Sequence, residues 1–458
     1  YFQIFLDTVN QMTKYILPVL LIAVSGASAQ RVVGYYPQWV QSSFPVEQID
    51  FSVITHVIHA FAWPNADGSI SYYDNMLDPE IATVVHQNGR KLLLTFGGWG
   101  NNEGFAAMVS TVDSRQNFIS NLLDLMDNYG YDGIDLDWEH PSNSTETNNL
   151  TLLVQELRDA FNSVNPEFMI TMAVGASNWS GQHYEYEIIN ENIDWFSMMG
   201  YDFHGSWSSH AGHNAPLYQS PPGDPDGSVH TGVNYLVNTR NIPVEKLNLG
   251  VPFYGKKFNA SAINGSYSGT VTDIWYDEAS DMVAAGWEYY WDEDAYCPYL
   301  LNTSHNQLVT FDDPASIQAK AEYVKQRGLG GMMIWALGYD IVNDVQELIE
   351  SIGLHYLGFH SKRNEFLPQD IAIQVFPNPF NNQCTIRLFS SSPADILYIY
   401  AIDGRLITSI STRTISRGVQ EFLWDGKDKH QKGIASGIFV AVAKSGERVF
   451  SNKLLYLK

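Results

Sequence analysis

The sequence predicts an α/β chain: a (β/α)8 barrel of the TIM type with a small α+β insertion, followed by a C-terminal β-sandwich of immunoglobulin-like pattern. Three observations lead there. Eight short apolar runs alternate with amphipathic stretches between Arg31 and Ile352. One interval in that series is too long for a single crossover helix. Beyond Gly353 the helical periodicity stops and short alternating runs separated by Gly, Asp, Ser and Pro take over.

The eight runs are RVVGYY, SVITHVIHAFA, KLLLTFGG, GIDLDW, FMITMAV, IDWFSMMGY, LNLGVPFY and GGMMIWAL. Each is strand-length and rich in Val, Ile and aromatics, the pattern of strands buried on both faces. Helix patterns lie between them. Ser114 is placed to cap a segment whose Phe118, Leu122, Leu125, Met126 and Tyr129 share one face, stopped by Gly130. Leu150, Leu153, Leu157, Phe161 and Val164 share a face of the next segment, with Pro166 after it. Repetition of this unit implies a closed parallel barrel, spanning residues 30–352. The long interval gives an insertion at about 259–310, rich in Tyr and Trp, which serve as its core or wall the barrel's mouth.

Residues 1–29 read as an upstream segment and a secretory signal peptide: Lys14 precedes an apolar run to Val24 and an Ala-Ser-Ala exit before Gln30. That run is too short for a transmembrane anchor. Residues 353–370 read as a linker and 371–458 as the sandwich, whose 11 Lys and Arg against 6 Asp and Glu set it apart from an acidic remainder. The net charge of −24 argues against nucleic acid as a partner. Cys297 and Cys384 fall in different predicted domains, which makes a disulfide framework or a cysteine metal site unexpected.

The chemistry is concentrated in YDGIDLDWEH, residues 131–140. On a strand Asp135, Asp137 and Glu139 share one face and Ile134, Leu136 and Trp138 the other. Crowded, desolvated carboxylates raise one another's pKa, and a carboxyl protonated near neutrality is what general-acid cleavage of an acetal needs. Glu139 lies nearest the C-terminal end of the strand, where barrel active sites are built, and is the expected proton donor. A calcium loop would need a turn glycine and a distant Glu that are absent. A purely structural acid cluster would need cationic partners that the run does not offer. From spacing alone, Asp137 reads as the nucleophile of an ordinary retaining enzyme.

DGIDLDWE resembles the DxxDxDxE signature of family 18 glycoside hydrolases, the chitinases, through Asp132, Asp135, Asp137 and Glu139. LLLTFGGW, with Thr95 where the family usually has Ser, MGYDFHG, LGVPFYGKKF and GGMMIWALGYD are similar to further motifs of that family, in the same order. The resemblance implies that Glu139 protonates the glycosidic oxygen and then acts as base. It implies that Asp137 orients the substrate's N-acetyl group with Asp135 behind it, and that Tyr201 and Asp202 hold that group. Trp335 would floor the subsite where the sugar is distorted. In this family the substrate's own acetamide oxygen is the nucleophile, which replaces the reading from spacing.

Sugar rings bind through flat apolar faces, so aromatics near the mouth are candidate contacts. Tyr36, Trp39, Trp99 and Trp138 belong to this group, and Phe61 and Met199 complete the expected substrate-binding set with Trp335. His204, His210 and His213 offer no compact ligand pair of the usual spacing, so neither a metal site nor any cofactor is expected. His56 and His59 read as satisfied barrel residues.

The last segment resembles the C-terminal sorting domains of the type IX secretion system of Gram-negative bacteria, through VFPNPFNN, YIYAIDGRLITSI, WDGKD and the final GIASGIFVAVAKSGERVFSNKLLYLK. An immunoglobulin-like spacer or carbohydrate-binding module is the competing reading, for which Trp424 is the lone candidate exposed aromatic. The expected protein is a monomeric, secreted or cell-surface chitinase whose partners are chitin or chitooligosaccharides and an outer-membrane secretion machinery. The competing activities are an endo-β-N-acetylglucosaminidase acting on N-glycans and a non-catalytic chitin-binding lectin, the latter disfavoured by the presence of Glu139.

Overall fold

A computed structural model describes residues 30–358 and, with short interruptions, 373–457. The predicted signal peptide and most of the predicted linker lie outside the described residues. The chain divides into two compact units, Tyr1–Ser361 and Lys362–Lys458.

Eight parallel strands form the centre of the first unit: Arg31–Pro37, His56–Pro64, Lys91–Gly97, Gly133–Asp137, Met169–Gly175, Trp195–Met199, Leu247–Pro252 and Gly331–Trp335. Each pairs with its neighbour in sequence order, and Arg31–Pro37 pairs with both His56–Pro64 and Gly331–Trp335, which closes the barrel. Each of the eight predicted runs overlaps one of these strands. Continuous apolarity has a physical cause here, because one face of each strand packs against the outer helices and the other fills the lumen.

The outer layer follows the helical periodicity with two changes. In Val112–Tyr129 the cap is Thr111, which accepts the Ser114 backbone N–H, while Ser114 sits in the first turn. Gly130 ends that helix in the left-handed region, as its lack of a Cβ permits. In Ser144–Val164 the residues Leu150, Leu153, Leu157 and Phe161 are buried, but Val164, the last residue of the helix, is 62% exposed.

The insertion is a five-stranded antiparallel sheet beginning at Tyr254, earlier than the predicted boundary, and ending at Thr310, with the helix Tyr276–Ala284 within it. Its small core is Phe258, Ala260 and Leu308 with Ala211. Several of its aromatics are outside that core: Trp275, Tyr289, Tyr290 and Tyr296 are each more than a third exposed.

The second unit contains two four-stranded antiparallel sheets. Cys384, Ile386, Phe422 and Trp424 from one and Leu397, Ile399, Phe439 and Leu454 from the other form a shared cluster. Trp424 is 2% exposed and packs on Phe380 and Phe439, so it is a core residue and not the surface aromatic anticipated. Both cysteines are free and buried.

Candidate active site

The inner wall of the barrel is polar where the acidic strand passes through it. Register places Thr95 and Thr171 on either side of Asp135. Asp135 is fully buried and accepts three hydroxyls: Tyr35 Oη at 2.7 Å, Thr95 Oγ1 at 2.9 Å and Thr171 Oγ1 at 2.5 Å. Burial raises its pKa, and the three donors pull it back.

Asp137 is different. It is also buried, yet its Oδ1 has no hydrogen-bond partner among the described residues. Burial, then the charges of Glu139 and Asp135, raise its pKa well above the ordinary carboxylate value. Glu139 is partly buried, and burial followed by the charge of Asp202 lifts it to about 7. No ion pair to Glu139 is found among the described residues. Neighbouring His140 is pushed by burial down to about 4 and stays neutral at pH 7, so it adds no cation beside Glu139.

Local backbone contacts fix these acids. Gly97 passes so close to Asp137 that a Cβ would lie 2.2 Å from the Asp137 carbonyl oxygen, and Gly98 N–H donates to that oxygen at 2.9 Å. Gly98 itself has φ +82, and a Cβ there would lie 2.6 Å from the Phe61 ring, so both residues of the Gly-Gly pair after Phe96 are required. Asn102 bridges onward: its Nδ2 donates to the Gly98 carbonyl and its Oδ1 accepts Glu139 N–H at 3.0 Å. Tyr184 Oη donates to the Trp138 carbonyl from the other side, at 2.7 Å.

Tyr201 and Asp202 follow the strand Trp195–Met199. Burial and then the charges of Asp137 and Asp202 raise the Tyr201 phenol well above its usual range, keeping it a proton donor. Asp202 has φ +58, and its N–H donates to Asn214 Oδ1. Its Oδ1 accepts Tyr254 Oη at 2.7 Å and lies 2.7 Å from Lys256 Nζ.

Aromatic rings continue outward from this point. Trp335 packs against Tyr35, Trp39 and Phe61 with centroids 5.5 to 6.2 Å away. Trp39 Nε1 donates to Tyr339 Oη, and Tyr339 stacks on Trp275 at 4.4 Å. Trp39 and Trp275 are partly exposed, whereas Trp99 stands 78% exposed.

Residues 31–340 match the sequence model of the glycosyl hydrolases family 18. The chain belongs to that family. It is 33% identical to the probable endochitinase of Caenorhabditis elegans over 68% of its own length and 56% of the relative's. It is 29% identical to chitinase A1 of Niallia circulans over 71% of its own length and 58% of the relative's. It therefore spans less than two thirds of either relative. Among solved structures it resembles catalytic domain 2 of the Ostrinia furnacalis Group II chitinase with a TM-score of 0.68 and 29% identity, covering 72% of this chain and 97% of that one.

Within this family 18 barrel the sequence-predicted residues divide clearly. Asp135, Asp137, Tyr201, Met199, Phe61 and Trp335 line one inner region: Phe61 belongs to the interior apolar cluster, and Met199, Tyr201 and Trp335 pack against it. Tyr36 does not join them. It is 1% exposed in the outer core and donates its hydroxyl to the Phe44 carbonyl, because alternation along the strand turns Tyr35 into the lumen and Tyr36 outward. Trp138 is likewise core, stacked on Phe105. Asp132 precedes the strand and pairs with His86 and Lys91 instead of joining the other acids. Sequence reasoning missed Tyr35, Thr171, Asn102, Tyr184, Tyr254 and Lys256; for Tyr35 and Thr171 the inward phase of their strands was the available signal.

The histidines also differ from expectation. His204 and His210 lie together with Asp224 and Asp226, a compact set supplied by acids from further along the same loop. His213 is separate, its Nε2 3.0 Å from Asp292 Oδ2.

Proposed function

We propose that this protein is a chitinase that hydrolyses β-1,4-linked N-acetylglucosamine chains with net retention, using the substrate's acetamide as nucleophile. The observation that carries the reading is the pairing of Glu139, held protonated up to about pH 7, with Asp137, whose buried Oδ1 has no donor among the described residues. Glu139 gives its proton to the departing glycosidic oxygen. Asp137 receives the acetamide N–H of the bound sugar, which aligns the acetamide oxygen for attack at the anomeric carbon. Attack breaks the bond to the protonated leaving oxygen and forms a cyclic oxazolinium, and Glu139, now ionised, takes a proton from the water that enters on the face the leaving group vacated, opposite the acetamide oxygen, so the product is retained.

Asp135 supports Asp137 from below while its own charge is spread over three hydroxyls. Tyr201 and Asp202 hold the acetamido group, and Lys256 balances the Asp202 charge. Trp335, Phe61 and Met199 form the floor, and Trp39, Trp99 and Trp275 extend the ring-binding surface. The (NAG)5 complex of a variant of the Ostrinia furnacalis domain supports an oligomeric substrate. The mechanism requires no metal at the carboxylates.

We further propose residues 12–29, after an upstream segment, as a secretory signal peptide that is removed and residues 371–458 as an immunoglobulin-like sandwich that acts as a type IX sorting domain. The enzyme would then be a monomer delivered to the cell surface or medium. Incubating the purified chain with acetylated glucosamine oligomers beside an N-glycoprotein, with anomer analysis, tests the activity. β-Anomeric oligomers and an untouched glycoprotein are expected. Glycan release in place of oligomer cleavage, or an α-anomeric product, contradicts it.

A further inference from the structure

The loop between Met199 and Val229 gathers His204 Nε2, His210 Nε2, Asp224 Oδ2 and Asp226 Oδ2 within 4.8 Å of one another. The three separations among His204, His210 and Asp224 are each 3.1 Å, and His204 Nε2 lies 3.6 Å from Asp226 Oδ2. We propose that these four atoms form a binding site for a divalent transition-metal cation, with zinc the ion of best fit, which pins the loop that follows Asp202.

Hydrogen positions make the case first. His204 Nδ1 is 2.9 Å from the His213 carbonyl oxygen, which can only accept, so Nδ1 carries the ring hydrogen and Nε2 presents a lone pair to the cluster. Asp224 is oriented in the same sense: its Oδ1 accepts Asp226 N–H at 3.0 Å, which turns Oδ2 inward. Gln219 Nε2 holds the Asp224 carbonyl. Asp226 Oδ2 is buried and receives no hydrogen bond among the described residues. Four lone-pair atoms therefore converge, and a neutral His210 has one Nε2 hydrogen at most to share among them. A cation at the centre satisfies all four together. Ligating histidines that donate their second nitrogen to a carbonyl are the ordinary support of such a site.

Four ligands at 2.0 to 2.1 Å in a tetrahedron are separated by about 3.3 Å. Four of the six separations, 3.1 to 3.6 Å, bracket that value, and the two from Asp226 to His210 and Asp224 fall within 4.8 Å, so closing on the ion takes a small inward turn of the Asp226 carboxylate. Two imidazoles and two carboxylates suit zinc, whereas calcium takes about six to eight oxygens. His204 and Asp224 are 1% exposed, so the donors are already desolvated. Gly212 leaves room for the His204 ring, since a Cβ there would lie 2.2 Å from it.

The test uses the full chain without a polyhistidine tag, stripped with a chelator and titrated with Zn²⁺ by calorimetry, with melting followed in parallel. One zinc per chain is expected, with a higher melting temperature when it is bound. His210→Ala, at a partly exposed ring, and Asp226→Asn are each expected to weaken zinc at least about tenfold and to remove the melting shift. His305→Ala, at an exposed histidine outside the cluster, is the control and is expected to change neither. Absence of stoichiometric zinc in the wild-type chain overturns the proposal and leaves a cluster closed by protons. Unchanged zinc affinity in His210→Ala, tighter binding of Ca²⁺ than of Zn²⁺, or loss of zinc in Glu139→Gln alone overturns it as well.

Discussion

Lys256 Nζ lies 2.7 Å from Asp202 Oδ1 and 2.6 Å from Asp273 Oδ1, so a buried ammonium is shared by two carboxylates at the edge of the acid cluster. This arrangement anchors Asp202 while leaving its charge to act on Glu139, whose proton it helps to retain. Asp202→Asn removes that charge and leaves Lys256 less compensated, and both effects favour ionised Glu139. The basic limb of the kcat/KM profile, expected near pH 7 in the wild type, should move to lower pH in the variant. A pH series on a soluble acetylated oligomer checks this, and a limb that stays or moves upward refutes it.

Tyr35→Phe removes one of three donors to buried Asp135. The lost hydrogen bond costs about 1–3 kcal/mol, readable as a lower denaturation midpoint. Weaker support of Asp135 should also reduce kcat more than it changes KM. Equal stability together with unchanged kcat would show that Thr95 and Thr171 suffice.

The aromatic assignments separate by their two readouts. Trp335→Ala should lower kcat/KM on oligomers by roughly 10- to 100-fold, in line with about 1.5–3 kcal/mol for a buried apolar ring. Tyr36→Phe should leave kinetics unchanged and cost only stability, because its hydroxyl serves the Phe44 carbonyl. Kinetic profiles and melting curves of the two variants decide whether the inward and outward faces are assigned correctly.

Removal of residues beyond Ser361 should leave soluble-oligomer hydrolysis within about twofold, because all proposed catalytic groups and their partners lie in the first unit. A cut at Gly353 should instead destabilise the barrel, since Tyr356 is 4% exposed in the main core. In a host with a type IX pathway, the shorter chain should no longer reach the surface. Activity and surface assays of the two truncations check these outcomes.

Much of this was readable in the sequence because burial on both faces of a strand leaves a run of Val, Ile and Leu that few other contexts tolerate. GIDLDW was legible for the opposite reason, since charges at alternate positions of such a run have no bland explanation. What escaped depended on phase or on distance along the chain. Tyr35 and Tyr36 are chemically identical, and only the pleat decides which enters the lumen. Asp202, Tyr254 and Lys256 meet across about 50 residues through the insertion's first strand. His204 and Asp224 meet across a loop with no periodicity. Ser114 and Thr111 are both good caps, and the helix began at the earlier one.

The most direct test of the proton-donor claim is hydrolysis of acetylated oligomers by Glu139→Gln, with oligomer binding measured on the same protein by calorimetry. The account predicts a loss of roughly 10²- to 10⁴-fold in kcat with binding retained. A variant that binds and still turns over at most of the wild-type rate would contradict it.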